Sequence, residues 1–159
     1  MNYFELFDVP PGPVVERSLL SKKYFELQKK FHPDFYSQAG ENEKAEALKQ
    51  SADINNAYTI FQNTDKTLEY FLQLSGSILQ GEKYELPPGF LMEMMDLNEG
   101  VTDENGSTQS LVNDYMEKLS EEIEPVLSHF TGSEDALQKL KAYYYKKKYL
   151  KRILDRLGD

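Results

Sequence analysis

FHPDFYSQ, residues 31–38, ends a lysine-rich run whose apolar residues recur at the spacing of a helix. Leu20, Tyr24 and Leu27 lead to Phe31 in steps of 4, 3 and 4, which places them on one helical face. Pro33 disfavours helical geometry at the residue before it, so the helix over 15–31 is predicted to stop at His32. Loops at helix ends often display interaction residues. The stretch therefore predicts a rigid turn that presents His32 and Asp34.

The rest of the chain is also predicted to be helical, without strand-like alternation or internal repeats. In the third predicted helix, the positions expected to be buried are Ala45, Leu48, Ala52, Tyr58 and Phe61, with Asn55 as a satisfied polar group of the core. Residues 76–89 are rich in Gly and Pro and are predicted to be a linker. This gives an all-α protein with a small helical domain over 1–75 and a helical bundle, expected to have three helices, over 90–159. The predicted helices are 2–8, 15–31, 42–62, 66–74, 90–99, 109–130 and 133–157.

Composition excludes several classes of function. The chain of 159 residues has a net charge of −9, which argues against broad binding to nucleic acids. It has no cysteine, which excludes disulfides and thiolate metal ligands. No apolar run reaches the roughly 20 residues of a membrane span, and the N-terminus lacks a signal-peptide pattern. We expect a cytoplasmic protein.

The tripeptide His32-Pro33-Asp34 fits recognition better than catalysis. His32 and Asp34 could act as a general base and its orienting group, but no nucleophile motif accompanies them and no metal-ligand spacing includes His129. We therefore expect neither an enzyme nor a cofactor. The Asp34 carboxylate instead suits an arginine on a partner. Four lysines make the preceding helix positive, which suits an acidic partner surface or only a solvated helix face: Lys22, Lys23, Lys29 and Lys30.

The helix over 90–99 carries more apolar residues than one buried stripe needs. Phe90, Met94, Leu97 and Val101 fall on one stripe, whereas Leu91, Met92 and Met95 point away from it. The acidic residues beside this second group are Asp96, Glu99 and Asp103. An exposed apolar patch with a polar rim indicates a binding surface. The alternative is a helix that is buried on two sides.

The last predicted helix repeats this pattern within a basic run, residues 139–156. Tyr145 and Tyr149 fall opposite its main apolar face. Tyr149 could contact a partner or lie on the surface as an amphipathic side chain. The residues expected on the main apolar face are Leu137, Leu140, Tyr144, Leu150, Leu154 and Leu157.

The ordered set of YFELF, a basic helix, His-Pro-Asp and SADINNAY over about 75 residues resembles a J-domain. YFELFDVP at the N-terminus and FLMEMMDLNE after the linker narrow the resemblance, which covers nearly the whole chain, to HscB-type J-protein co-chaperones of iron–sulfur cluster assembly. The resemblance implies a partner for each domain. The J-domain, a helical hairpin with its HPD loop, is expected to bind a DnaK-type, HscA-like ATPase and to stimulate ATP hydrolysis through His32, Pro33 and Asp34. Its basic helix is expected to dock on that ATPase through Lys22, Lys23, Lys29 and Lys30. The bundle is expected to bind an IscU-like scaffold protein through Leu91, Met92, Met95, Asp96, Glu99 and Tyr149.

The chain departs from this pattern at two places. Phe35 follows the tripeptide where many J-domains have lysine, which removes one positive charge. Gly100 interrupts the helix, so a contact by Asp103 is in doubt. A J-protein that serves a different client, or a J-like domain that has lost ATPase stimulation, remains the alternative function.

Overall fold

The computed structural model describes residues 1–99 and 107–158, with the side chains of residues 98, 99 and 107 left aside. The described residues form seven α-helices and one short 3-10 helix and contain no strand, which confirms the all-α prediction. Gly100, Val101 and Asp103 lie outside the described residues. The α-helices are α1 (Tyr3–Leu6), α2 (Arg17–Phe31), α3 (Glu41–Phe61), α4 (Thr64–Leu74), α5 (Pro88–Glu99), α6 (Ser107–Ser128) and α7 (Glu134–Gly158).

The chain divides into two compact units, Met1–Phe71 and Leu72–Asp159. The division falls inside α4, three residues before its last residue, Leu74. The predicted domain limits and the linker over 76–89 stay a prediction. Glu82 within that segment nevertheless bonds to Lys141 and Tyr145 of α7.

An aromatic cluster forms the core of the first unit. Phe4 and Phe7 are fully buried, and their rings lie 5.2 and 5.6 Å from the ring of Phe61 in α3. A helix as short as α1 has little stability alone. Asn2 caps it by accepting a hydrogen bond from the Glu5 amide at 2.9 Å, and the Glu5 carboxylate accepts one from the Asn2 amide. This cap and the ring packing hold the N-terminus on α3.

Helices α2 and α3 form an antiparallel hairpin. Tyr24 stacks on Tyr58 with ring centroids 4.2 Å apart, and its hydroxyl donates to Asn55 at 2.8 Å. Four residues further along α2, Gln28 bonds to both Asn55 and Ser51. Contacts therefore move towards the start of α3 as they move along α2. Asn55 is satisfied, but it is exposed, so the prediction that it belongs to the core is wrong.

The predicted buried face of α3 is also wrong in register. Ala45, Leu48 and Ala52 are exposed and Tyr58 is only half-buried. The physical reason is that α2 approaches through Tyr24 and Gln28, whose side chains need small or polar neighbours such as Ser51. Phe61 is buried as predicted, and the buried residues are Ala47, Ser51, Ile54, Ala57 and Phe61.

The second unit is built on α5, α6 and α7. Its core comprises Phe90, Met94, Val112, Leu119, Leu150 and Ile153, two from each helix. In α7 the predicted Leu140 and Leu150 are fully buried, whereas Leu137 and Tyr144 are half-buried and Ile153 takes a core position. Among the described helices, none has the length and apolar character needed to cross a membrane.

Candidate functional site

The predicted helix stop lies at His32. The His32 amide donates the last helical hydrogen bond to the Gln28 carbonyl at 2.8 Å, and the residue then turns to φ −60°, ψ 130°. Pro33 lies at the start of the 3-10 helix Pro33–Tyr36. Because proline has a fixed φ and no amide hydrogen, it can begin this turn but not continue α2.

His32 takes part in a hydrogen bond within the turn, whereas the side chain of Asp34 is exposed. The Asp34 amide donates to His32 Nδ1 at 3.2 Å, so Nδ1 acts as an acceptor and the proton of a neutral ring lies on Nε2. The Asp34 carboxylate is 3.6 Å from Nδ1, beyond a hydrogen bond. Its side chain is 88% exposed. The turn therefore uses Nδ1 of His32 and leaves the Asp34 carboxylate exposed.

A hydrogen bond that the sequence did not suggest braces this turn. The Tyr36 hydroxyl donates to the Lys30 carbonyl at 2.9 Å, across the helix end. That carbonyl belongs to the last turn of α2, where backbone acceptors have no helical partner. The bond ties the far side of the 3-10 helix to α2 and holds the tripeptide between them.

The four predicted lysines do not have the same surroundings. Lys23 is half-buried, and its Nζ lies 3.5 Å from the Asp8 carboxylate, so part of its charge is compensated. The Lys30 ammonium lies 5.2 Å from the centre of the Phe31 ring. Lys22 and Lys29 are exposed and form no ion pair within the part of the chain that the structure describes. Lys22 and Lys29 are thus the basic side chains most available to an acidic partner.

On α5 the exposure of the apolar residues follows their angle around the helix. Phe90 and Met94 are buried, and Leu97 packs against the same core. At 100° per residue, Leu91 lies about 90° from the middle of that buried face, Met95 about 130° and Met92 about 170°. Exposure increases in the same order, and Asp96 beyond them is exposed. The predicted surplus apolar face is confirmed as exposed; the Glu99 side chain lies outside the described residues.

Tyr149 approaches this surface from α7, where it is half-buried rather than lying free on the surface. Its ring lies 5.9 Å from the Phe90 ring, edge to face. Lys146, one turn earlier, holds its ammonium 5.6 Å from the centre of the same ring. Phe90 therefore links the α7 residues to the start of the exposed α5 face. The contact between Lys146 and Phe90 joins residues distant in sequence, so helical spacing alone could not predict it.

A polar cluster joins the segment before α5 to α7. Glu82 accepts a hydrogen bond from the Tyr145 hydroxyl at 2.6 Å, and Lys141 lies 3.4 Å from the same carboxylate. Tyr84 stacks on Tyr145 with centroids 4.4 Å apart. The hydrogen bond from Tyr145 lowers the pKa of Glu82, with Lys141 acting in the same direction. Burial raises the pKa of Tyr145, and the neighbouring carboxylate raises it further.

Within the described residues, no group of three or more His, Asp or Glu side chains is arranged to hold a metal ion. The turn around Asp34 and the outer face of α5 present charged and apolar side chains to the exterior.

The chain is similar to several known proteins. Residues 86–158 match the family described as "HSCB C-terminal oligomerisation domain". A Vibrio vulnificus protein named co-chaperone protein HscB homolog is 43% identical over 100 residues, 62% of this chain and 58% of that protein. The homolog from Vibrio campbellii is 37% identical over 123 residues, 76% of this chain and 72% of the relative.

Solved structures extend the likeness to nearly the whole chain. The crystal structure of the human co-chaperone protein HscB aligns with a TM-score of 0.78 and 26% identity, covering 99% of this chain and 81% of the human one. Chaperone HscB from Vibrio cholerae aligns with a TM-score of 0.61 and 32% identity, covering 99% of both chains. The chain therefore belongs to the HscB family of co-chaperones.

Proposed function

We propose that this co-chaperone binds a DnaK-type, HscA-like ATPase through His32, Pro33 and Asp34 and stimulates its ATP hydrolysis. In the same proposal the helical bundle delivers an IscU-like scaffold protein for iron–sulfur cluster assembly or transfer. The protein acts by bringing two partners together and contributes no catalytic group of its own.

The geometry of the tripeptide is the observation that supports the proposed binding to the ATPase. Pro33 and the Tyr36–Lys30 bond hold the turn rigid, so little conformational entropy is lost when a partner binds it. The carboxylate of Asp34 faces outward and is suited to a guanidinium of the ATPase. Lys22 and Lys29 add positive charge on α2, the helix that ends at the tripeptide, which favours encounter with an acidic surface.

The exposed face of α5 supports the proposed binding of the scaffold protein. Leu91, Met92 and Met95 are apolar and exposed, with the Asp96 carboxylate beside them. Methionine side chains are flexible and polarizable, which suits a surface that must fit a partner of irregular shape. Tyr149 and Lys146 on α7 extend this surface through their contacts with Phe90.

Single-turnover ATP hydrolysis by the partner ATPase tests the proposal. We would measure the rate with the co-chaperone alone, with the scaffold added, and with Asp34→Asn. Asp114→Asn, at an exposed carboxylate of α6, is the matched control. We expect stimulation that increases with the scaffold, is lost in Asp34→Asn and is kept in Asp114→Asn.

Three results would contradict parts of the proposal. Stimulation retained in Asp34→Asn would remove the assigned role of that carboxylate. Stimulation that is indifferent to the scaffold would indicate a J-protein for a different client. A folded protein that gives no stimulation would indicate a J-like interaction domain in which the tripeptide only ends a helix.

A further inference from the structure

We infer that the ATPase contact of this chain includes an apolar component, formed by Phe25 between two lysines of α2 and by Phe35 directly after the tripeptide. The ATPase that fits it carries an apolar depression bordered by carboxylates. This inference rests on the proposed function and concerns what kind of ATPase surface the chain recognises.

The residues concerned form one continuous strip. Lys22, Phe25 and Lys29 follow one another in steps of 3 and 4, which is a single face of α2, and a further step of 3 reaches His32. The Phe35 ring lies 6.1 Å from the His32 ring, edge to face. The strip thus runs from Lys22 through Phe25 and Lys29 to the tripeptide, with Phe35 directly after it.

Both phenylalanines are unusually exposed for their size. Phe25 is 63% and Phe35 is 68% exposed. Phe25 touches Tyr24 of its own helix, and Phe35 touches His32, so neither contributes to the core of the first unit. Leaving a large ring in water is unfavourable in proportion to the apolar surface that stays hydrated. Covering these rings in a complex is a source of binding free energy.

Phe35 places part of this apolar component directly after the tripeptide. The resemblance to J-domains implies lysine at this position, and this chain has an apolar ring there in place of that charge. A partner recognised only by charge would be bound less tightly by this chain. A partner with an apolar contact at the same point gains affinity that salt does not screen.

The surroundings of the rings favour an acidic partner over a second copy of the chain. In a symmetric dimer through this strip, each Lys22 and Lys29 would face the same basic strip of the other copy. Such like-charge pairing is unfavourable. Carboxylates around an apolar depression instead match both the charge and the apolar character of the strip.

Binding measurements at two salt concentrations test the inference. We would titrate the ATPase with the parent protein, Phe35→Lys, Phe35→Leu and Phe25→Ala, at about 50 mM and 500 mM salt. The control is Leu79→Ala, at an apolar residue of the second unit with 65% exposure. Circular dichroism would verify that each variant is folded, and sedimentation would give its oligomeric state.

We expect Phe35→Lys and Phe25→Ala to weaken binding about tenfold at high salt, while Phe35→Leu stays within about threefold of the parent. We expect Phe35→Lys to regain part of the loss at low salt, because its new charge is then less screened. Leu79→Ala should bind like the parent.

Two outcomes would overturn the inference alone: parent-like affinity of both Phe35→Lys and Phe25→Ala at high salt, or dimers of the parent that Phe35→Lys dissociates. Loss of stimulation in Asp34→Asn would show in either case that the proposed function itself stands. A parent protein that does not bind the ATPase at all would refute both.

Discussion

Truncation to alanine should mainly reduce stability at one of two neighbouring methionines of α5 and mainly reduce scaffold affinity at the other. Met94 is fully buried in the core of the second unit. Its replacement removes most of a buried side chain and leaves a cavity, at a cost of about 2–5 kcal/mol of unfolding free energy. Because its side chain does not reach the surface, its effect on binding should follow only from the loss of folded protein.

Met95 is 64% exposed, so only about a third of its surface is covered by the chain itself. Complete burial of a methionine contributes about 1.5–3 kcal/mol, which limits the loss of stability on truncation to roughly 0.5–1 kcal/mol. The exposed two thirds are available to a client. Their burial in a complex corresponds to roughly 1–2 kcal/mol, or a factor of about 5–30 in the dissociation constant. Met92, at 67%, should behave alike, and Leu91, at 38%, should lose less affinity.

Urea unfolding followed by circular dichroism and titration calorimetry with an IscU-like scaffold would separate the two effects. Val14→Ala, at an exposed apolar residue of the first unit, controls for nonspecific changes. A loss of more than about 2 kcal/mol of stability in Met95→Ala would show that its exposure is misjudged. Unchanged stability together with unchanged affinity would refute the client surface on α5.

Two further variants test charges, one in each unit. Lys22→Glu should weaken ATPase binding at low salt and reduce its salt dependence, because Lys22 has no internal ion pair in the described structure. The control is Lys118→Glu, at an exposed lysine of α6. Equal salt dependence of ATPase binding in the parent and in Lys22→Glu would contradict the docking surface on α2. Glu82→Gln should lower the melting temperature at neutral pH. The pKa of Glu82 is lowered in the folded state, so its stabilisation is present above the ordinary pKa of 4.5 and is lost as the pH falls through the folded value. The melting temperatures of parent and variant should therefore converge in acid, and a constant difference down to about pH 2 would contradict the role of the Tyr145 hydrogen bond.

Features with a local cause could be predicted from the sequence. Pro33 restricts its preceding residue, so the end of α2 follows from the covalent structure alone. The exposed face of α5 follows from counting, since twelve residues carry more apolar side chains than one stripe can bury. Neither inference needs knowledge of which helices pack together.

Features that depend on a partner helix could not be predicted in this way. The buried face of α3 includes Ser51 and excludes Leu48, the reverse of their hydrophobicity, because Gln28 of α2 bonds to Ser51. The contact between Glu82 and Tyr145 spans 63 residues, and no periodic pattern relates them. Such contacts are specified by packing, which sequence spacing alone does not encode.

Tyr149 shows why this difference matters for assigning the client surface. Its spacing left two readings, a partner contact or an amphipathic surface residue, but the side chain is half-buried and packs on Phe90 of the core. Truncation of Tyr149 would remove this packing as well as any contact with the scaffold, so a loss of binding could follow from a displaced α5. Met95 has no such double role, because most of its side chain contacts nothing in the chain. The assignment of the scaffold surface therefore depends on α5, and an effect at Tyr149 supports it only when the stability of the bundle is unchanged.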